Sequence, residues 1–206
     1  MKKVICIILG ILLIVGVATI YFLQPKKNTE PEYMPCPVLE DGETMDVVIP
    51  ESMYYGSTAS AMARYWKKEG RCVDAWVTDY GVLMVRHNQE TLEKEYKLYY
   101  DELMKIINSD LSNMTKQVSY DYSVLTLYVN DDTTLEDLGR VVLVTPGNCY
   151  MLRLLQGVLS FENKVEVVVI YESTGKEILR LERPADEIVL YGDDWEKLLE
   201  YGRQGE

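Results

Sequence analysis

Histidine is nearly missing: the chain of 206 residues has one, His87. Zinc centres and Ser-His-Asp triads both draw on histidine, so its scarcity argues against a metallohydrolase or a serine hydrolase. His87 follows an apolar run and precedes a helix cap, with no Ser or Cys pattern beside it, and reads as a loop residue without a catalytic part. Glycine-rich phosphate loops are missing too. Gly42, Gly56, Gly70 and Gly81 stand alone and form neither GxxxxGK nor GxGxxG. The cysteines, Cys6, Cys36, Cys72 and Cys149, form no CxxC and no Cys/His pairing, which removes the usual zinc spacings. Cys6 lies in an apolar run. The other three are an odd number and cannot close a disulfide framework, which leaves one bridge or separate buried thiols.

Basic residues are few. Of the 21 Lys+Arg, Lys2, Lys3, Lys26 and Lys27 precede every acid, so from Asn28 onward 17 face 33 Asp+Glu, a balance of −16. So acidic a region repels phosphate backbones and anionic membrane surfaces, which argues against nucleic acid as a partner. Phenylalanine is reduced to two residues against 16 Tyr. Tyr joins an apolar body to a polar tip, which suits half-buried sheet surfaces and binding faces alike.

What is present begins with residues 4–23, an uncharged apolar run that starts at Val4 and ends in Tyr21-Phe22-Leu23. As a helix it would span roughly 30 Å, the thickness of a hydrocarbon core. A cleavable signal peptide ending at Gly16-Val17-Ala18 is the competing reading, but its apolar core is normally shorter. A signal anchor accounts for the whole run. The expectation is a single-pass cell-membrane protein: residues 1–23 as cytoplasmic tip and transmembrane anchor, with the domain extracytoplasmic and the bilayer as partner through residues 4–23. Residues 24–46 hold Pro25, Pro31, Pro35 and Pro37 among polar residues and read as an extended spacer.

The folded domain is expected over residues 47–206. Val47-Val48-Ile49-Pro50 reads as a strand stopped by proline. Ser57 to Glu69 reads as a helix with Ala59, Met62, Ala63 and Trp66 on one face. Cys72 to Thr78 and Val82 to Val85 flank the turn Asp79-Tyr80-Gly81. A helix over Gln89 to Leu111 follows, capped by Asn88, with a stripe of Leu92, Tyr96, Tyr99, Leu103 and Ile106 or Ile107. Val118 to Tyr120 and Val124 to Val129 flank a second turn, Asp121-Tyr122-Ser123. The next helix opens with Thr133 and Glu136 at capping-box spacing. It either reaches Leu159, interrupted near Pro146-Gly147, or gives way to a buried strand over Val141 to Val144 with a new helix from Asn148. The repeat described next favours the helix. A third hairpin joins Lys164 to Tyr171 with Glu177 to Leu181, and Asp194-Trp195-Glu196 opens a last helix.

Asp79-Tyr80-Gly81-Val82-Leu83 matches Asp121-Tyr122-Ser123-Val124-Leu125, and Asn88 matches Asn130, at an offset of 42. Thr91-Leu92-Glu93 matches Thr134-Leu135-Glu136 at 43. Duplication of a hairpin-helix unit and shared cap and turn chemistry both account for this. Either way the order ββα-ββα-ββα predicts an α+β fold, a mostly antiparallel sheet with helices on one face.

No side chain can be nominated as catalytic, cofactor-binding or metal-ligating, and no cofactor is implied. Asp131-Asp132 and Asp193-Asp194 precede helices, where acids favour the dipole, and lack the spacing of a calcium loop. Ser57-Thr58-Ala59-Ser60-Ala61 reads as a helix start. The layout of leader, spacer and domain resembles that of small single-span surface proteins of bacteria with a thick cell wall. The functional expectation is a non-enzymatic binding or accessory domain that meets a protein or a cell-wall component. The alternative is a carboxylate-dependent hydrolase at the cell surface, which would place two acids about 5–10 Å apart in a deep pocket.

Overall fold

The computed structural model describes residues 33–54, 56–110, 113–183 and 190–205. The leader at 4–23 and the first part of the spacer lie outside them. Among the described residues no helix is long and apolar enough to cross a membrane. The compact unit begins at Tyr33, so the part of the spacer from there on belongs to it, ahead of the start expected at 47.

In chain order the elements are β1 (Met45–Ile49), a 3-10 turn (Glu51–Met53), α1 (Ala59–Lys68), β2 (Asp74–Val77), β3 (Leu83–His87), α2 (Gln89–Ile107), β4 (Met114–Val118) and β5 (Val124–Val129). They continue with α3 (Leu135–Leu155), β6 (Val165–Tyr171), β7 (Lys176–Arg183) and α4 (Gly192–Arg203). The fold is α+β, and after β1 and α1 the order ββα recurs three times as the pattern predicts.

There are two sheets rather than one. The first is antiparallel in the order β1-β3-β2, with Val47 and Ala75 both opposite Val85. The second runs β4-β5-β6-β7, and its central pair, β5 with β6, is parallel. The reason lies in the connection. A two-residue turn can only send a strand back antiparallel, whereas α3 is a crossover of 21 residues, long enough to return the chain to the end where β5 began. The other four pairings are antiparallel.

Each sheet buries one face. Leu125, Leu127 and Val129 of β5 pair in register with Val167, Val169 and Tyr171 of β6, and all six are buried. The alternate residues Thr126, Tyr128, Glu166 and Ile170 are half-buried on the other face. Alternation along β5 is therefore as the sequence predicts. Helix α3 is apolar on nearly every side, because α2 and β6 both pack on it. It runs unbroken through Pro146, so the strand reading of Val141 to Val144 falls, and it stops at Leu155 rather than Leu159.

The start of α3 differs by one residue from the capping-box expectation. Thr134 is the cap: its hydroxyl oxygen accepts from the Asp137 N–H at 3.1 Å, and Asp137 closes the box. Thr133 is buried instead, and its hydroxyl donates to the Asn113 carbonyl at 2.6 Å. This bears on the repeat. Asn88 caps α2 and Thr91 is its third residue, whereas Asn130 accepts from the Asp132 N–H in a local turn and Thr134 is itself a cap. The first hairpin turn has Gly81 at positive φ, the second has Tyr122. The matched Thr91 and Thr134 do not hold equivalent positions, whereas Leu83 and Leu125 are both buried in the second strand of their hairpins.

Candidate functional site

A hollow of about 540 Å³ lies between the end of β1, the 3-10 turn, α1, α2 and α3. Its walls include Met53, Met62, Tyr65, Trp66, Tyr99 and Met151, and Arg71 lies among them. Helix α1 starts at Ala59, two residues after the Ser57 expected from the sequence. Thr58 caps it by accepting from the Ala61 N–H at 3.2 Å, and Met62 and Trp66 follow at a spacing of four on the inward face. Tyr54 closes one side: its hydroxyl donates to the Ile49 carbonyl at 3.1 Å and accepts from the Leu83 N–H at 3.2 Å.

Arg71 organises this region. Its Nε and Nη2 donate to the two oxygens of Glu95 at 2.7 and 2.6 Å, and Nη2 reaches the Tyr99 hydroxyl at 3.2 Å. The guanidinium also lies 4.6 Å from the Trp66 ring centre, with Tyr65 and Tyr99 near 6 Å. Burial works against the Arg71 charge, but the bonds to Glu95 and Tyr99 outweigh it and raise its proton affinity. Trp66 is buried, and its indole N–H has no partner among the described residues. Against Trp66 packs His87, ring centres 6.0 Å apart and edge to face. His87 is thus the last residue of β3, fully buried, rather than a loop residue. Burial, helped by the charge on Arg71, lowers its pKa to about 4, so the ring is neutral at physiological pH.

A second constellation is built from tyrosines where the described chain begins. The Met34 carbonyl accepts from the Tyr96 hydroxyl and from Gln156 Nε2 at 3.2 Å. The Tyr122 hydroxyl, also 3.2 Å away, gives its single proton either to that carbonyl or to the Tyr96 oxygen. The Met34 N–H donates to the Tyr120 carbonyl at 2.9 Å. Tyr33 stacks on Tyr122, and Tyr96 and Tyr122 share a 2.7 Å hydroxyl contact. Gln89 of α2 adds two more ties, accepting from the Leu39 N–H at 2.7 Å and donating to the Pro37 carbonyl at 3.3 Å. Burial raises the Tyr122 hydroxyl pKa, and its bond to Tyr96 raises it further. These phenols stay protonated and act as hydrogen-bonding clasps.

The hollow beside the tyrosine cluster has Glu93 and Asp101 on its rim, eight residues apart on α2 and so about 12 Å along the axis. Asp131 accepts from the Tyr171 hydroxyl and from Arg203 Nε, each at 2.7 Å, and these bonds hold its carboxyl below the ordinary range. Asp193 and Asp194 lie in the first turn of α4. Among the described residues no group of three His, Cys, Asp or Glu could hold a metal. Cys36, Cys72 and Cys149 are free thiols, and burial pushes Cys149 up to about 12 and Cys36 to about 11. At neutral pH neither is a thiolate nucleophile.

Sequence reasoning found the cap, the helix and the apolar stripe but missed Arg71 and Glu95. A signal for Glu95 was present: it lies three residues after Leu92 and four before Tyr99, on the apolar face of α2. Arg71, in a short connection after Gly70, gave none. Compared with known proteins, the chain matches no family model, no curated protein sequence and no solved structure.

Proposed function

We propose that the chain is a single-pass, membrane-anchored protein whose extracytoplasmic domain is a non-enzymatic binding or accessory module, with the hollow beside Trp66 as its ligand site. The observation that carries the binding reading is the hollow of about 540 Å³ walled by Met53, Met62, Tyr65, Trp66, Tyr99 and Met151. Met and aromatic walls favour an apolar or aromatic group. The Arg71 charge is already met by Glu95, so the site does not demand a full counter-charge. A side chain or a short acyl-peptide from a protein or wall component fits this chemistry.

Titration with N-acetyl-phenylalanine amide, followed by the Trp66 indole N–H resonance, tests the site. A saturable shift of that resonance, abolished in Met62→Trp where the hollow is filled, is the expected result. An indole signal that no amide or aromatic probe moves would overturn the assignment. The anchoring reading is supported by the uncharged run at 4–23. It predicts that the full chain resists carbonate extraction and that protease added to cells stripped of their wall digests the domain. A domain protected from that protease would reverse the orientation.

A further inference from the structure

We propose that the end of the domain where the chain arrives from the leader is a membrane-contact surface, resting on the bilayer in which residues 4–23 are read to sit. The inference rests on that anchoring reading and adds a second, non-covalent contact to it. Four large side chains carry it: Phe161 is 75% exposed, Leu159 54%, Tyr120 51% and Tyr80 94%. Phe161 is one of the two phenylalanines of the chain, the other being Phe22 at the exit of the apolar run. A phenylalanine used so sparingly, and then left in water, is unusual for a core-forming residue.

The hydrogen bonds place Tyr120, Leu159 and Phe161 at the chain's point of arrival. Met34 is bonded to the Tyr120 carbonyl and to Gln156, the residue that ends α3. Gly157, at φ +85°, then reverses the chain, and the Val158 N–H closes the turn on the Arg153 carbonyl at 3.1 Å. Arg153 ties both ends of the region together, donating to Asp121 beside Tyr120 at 3.0 Å and to Asn163 at 2.9 Å. Asn163 and Ser160 are both fastened to Tyr150, at 2.8 and 3.1 Å. The loop carrying Leu159 and Phe161 is therefore held in shape with those side chains turned outward. On its far side Ser160 shares a hollow of about 490 Å³ with Tyr80 and Val82.

Phe, Leu and Tyr are the residue types that settle at a bilayer interface. Residues 24–32 number nine, and fully extended they reach at most about 30 Å, so the anchored domain cannot leave the neighbourhood of the interface. Such a tether makes a weak contact effective, because the surface is met at high local concentration. Glu162, exposed between Phe161 and Asn163, sets the depth: the side chains rest among headgroups and do not enter the hydrocarbon core.

The test uses the full chain in vesicles of zwitterionic phosphatidylcholine, which do not repel an acidic domain, with a benzophenone amino acid at 120, at 161 or at 173. Ser173 lies in the turn at the other end of β6 and serves as control. Photolysis is expected to give lipid adducts several-fold more often at 161 than at 173, with labelling at 120 lost in Leu159→Ser/Phe161→Ser. Equal adduct yields at the two positions would overturn the proposal, and so would a cross-linked dimer at 161, which would assign the surface to a second copy of the chain. Flotation in carbonate is scored on the same samples. Chains that do not float refute the anchor and this contact with it, whereas chains that float without adducts at 161 refute the contact alone.

Discussion

Glu95 illustrates what one side chain costs when it is carried into a core by helical spacing. Its side chain is 1% exposed, and Arg71 is the cation that meets it. Glu95→Leu leaves a guanidinium in a largely apolar setting and is expected to cost about 3–5 kcal/mol. Adding Arg71→Met should recover most of that loss, since both charges are then gone. Denaturant unfolding of the two single variants and the double variant measures the coupling, and additive effects would contradict it. His87 gives a pH dependence of known sign. Its folded pKa, about 4, lies below the ordinary 6.5, so the unfolded chain takes up the proton first as pH falls. The native state is therefore favoured above 6.5 and loses stability as pH drops from 6.5 towards 4. In His87→Leu the loss between pH 7 and pH 5 should shrink by on the order of 2 kcal/mol relative to the parent. Parallel pH profiles for the two proteins would count against burial of a neutral ring.

At the scale of elements, α4 depends on a glycine. A Cβ at Gly202 would stand 2.6 Å from the Tyr171 Cβ and 3.0 Å from Ile178 Cγ2, so the helix approaches β6 as closely as its backbone permits. Gly202→Ala forces α4 off the sheet and is expected to cost about 1–3 kcal/mol. The Trp195 indole bond to the Thr133 carbonyl, 3.0 Å, should weaken with it, and faster exchange of that indole proton reports the displacement. An unchanged melting temperature would mean the helix shifts without strain. Elements were the best-read level of the sequence. Period, caps and turn residues are local, so Asn88, the hairpin turns and the stripe on α2 could be seen without neighbours. What escaped was set by partners distant in sequence. Thr133 and Thr134 are equally good caps locally, and the Asn113 carbonyl, twenty residues back, draws Thr133 away from that role. The parallel pairing of β5 with β6 follows from where α3 lands, and the candidate ligand site needs five segments brought together, so no contiguous motif could announce it.

At the scale of the molecule, the domain begins earlier than composition suggests. Four prolines in thirteen residues read as spacer, yet Met34, Pro37 and Leu39 are all hydrogen-bonded to α2 or its surroundings. A chain starting at Tyr33 should therefore melt at the temperature of the full chain. One starting at Met45 should melt several degrees lower, because it leaves the Tyr96, Tyr122 and Gln156 polar groups without the Met34 carbonyl. Matching melting curves for the two truncations, followed by circular dichroism, would remove the clasp from the stability account.

That clasp has a mechanical side. A pull on the chain from its N-terminal side reaches the domain at Met34, whose two backbone groups are gripped by the β4–β5 turn, by α2 and by the end of α3. Load is divided at once among three elements belonging to different parts of the core, and β1, whose ladder would otherwise be unzipped from its first residue, is shielded behind them. In single-molecule stretching the first rupture should be the release of residues 33–39, a short extension that precedes the opening of either sheet.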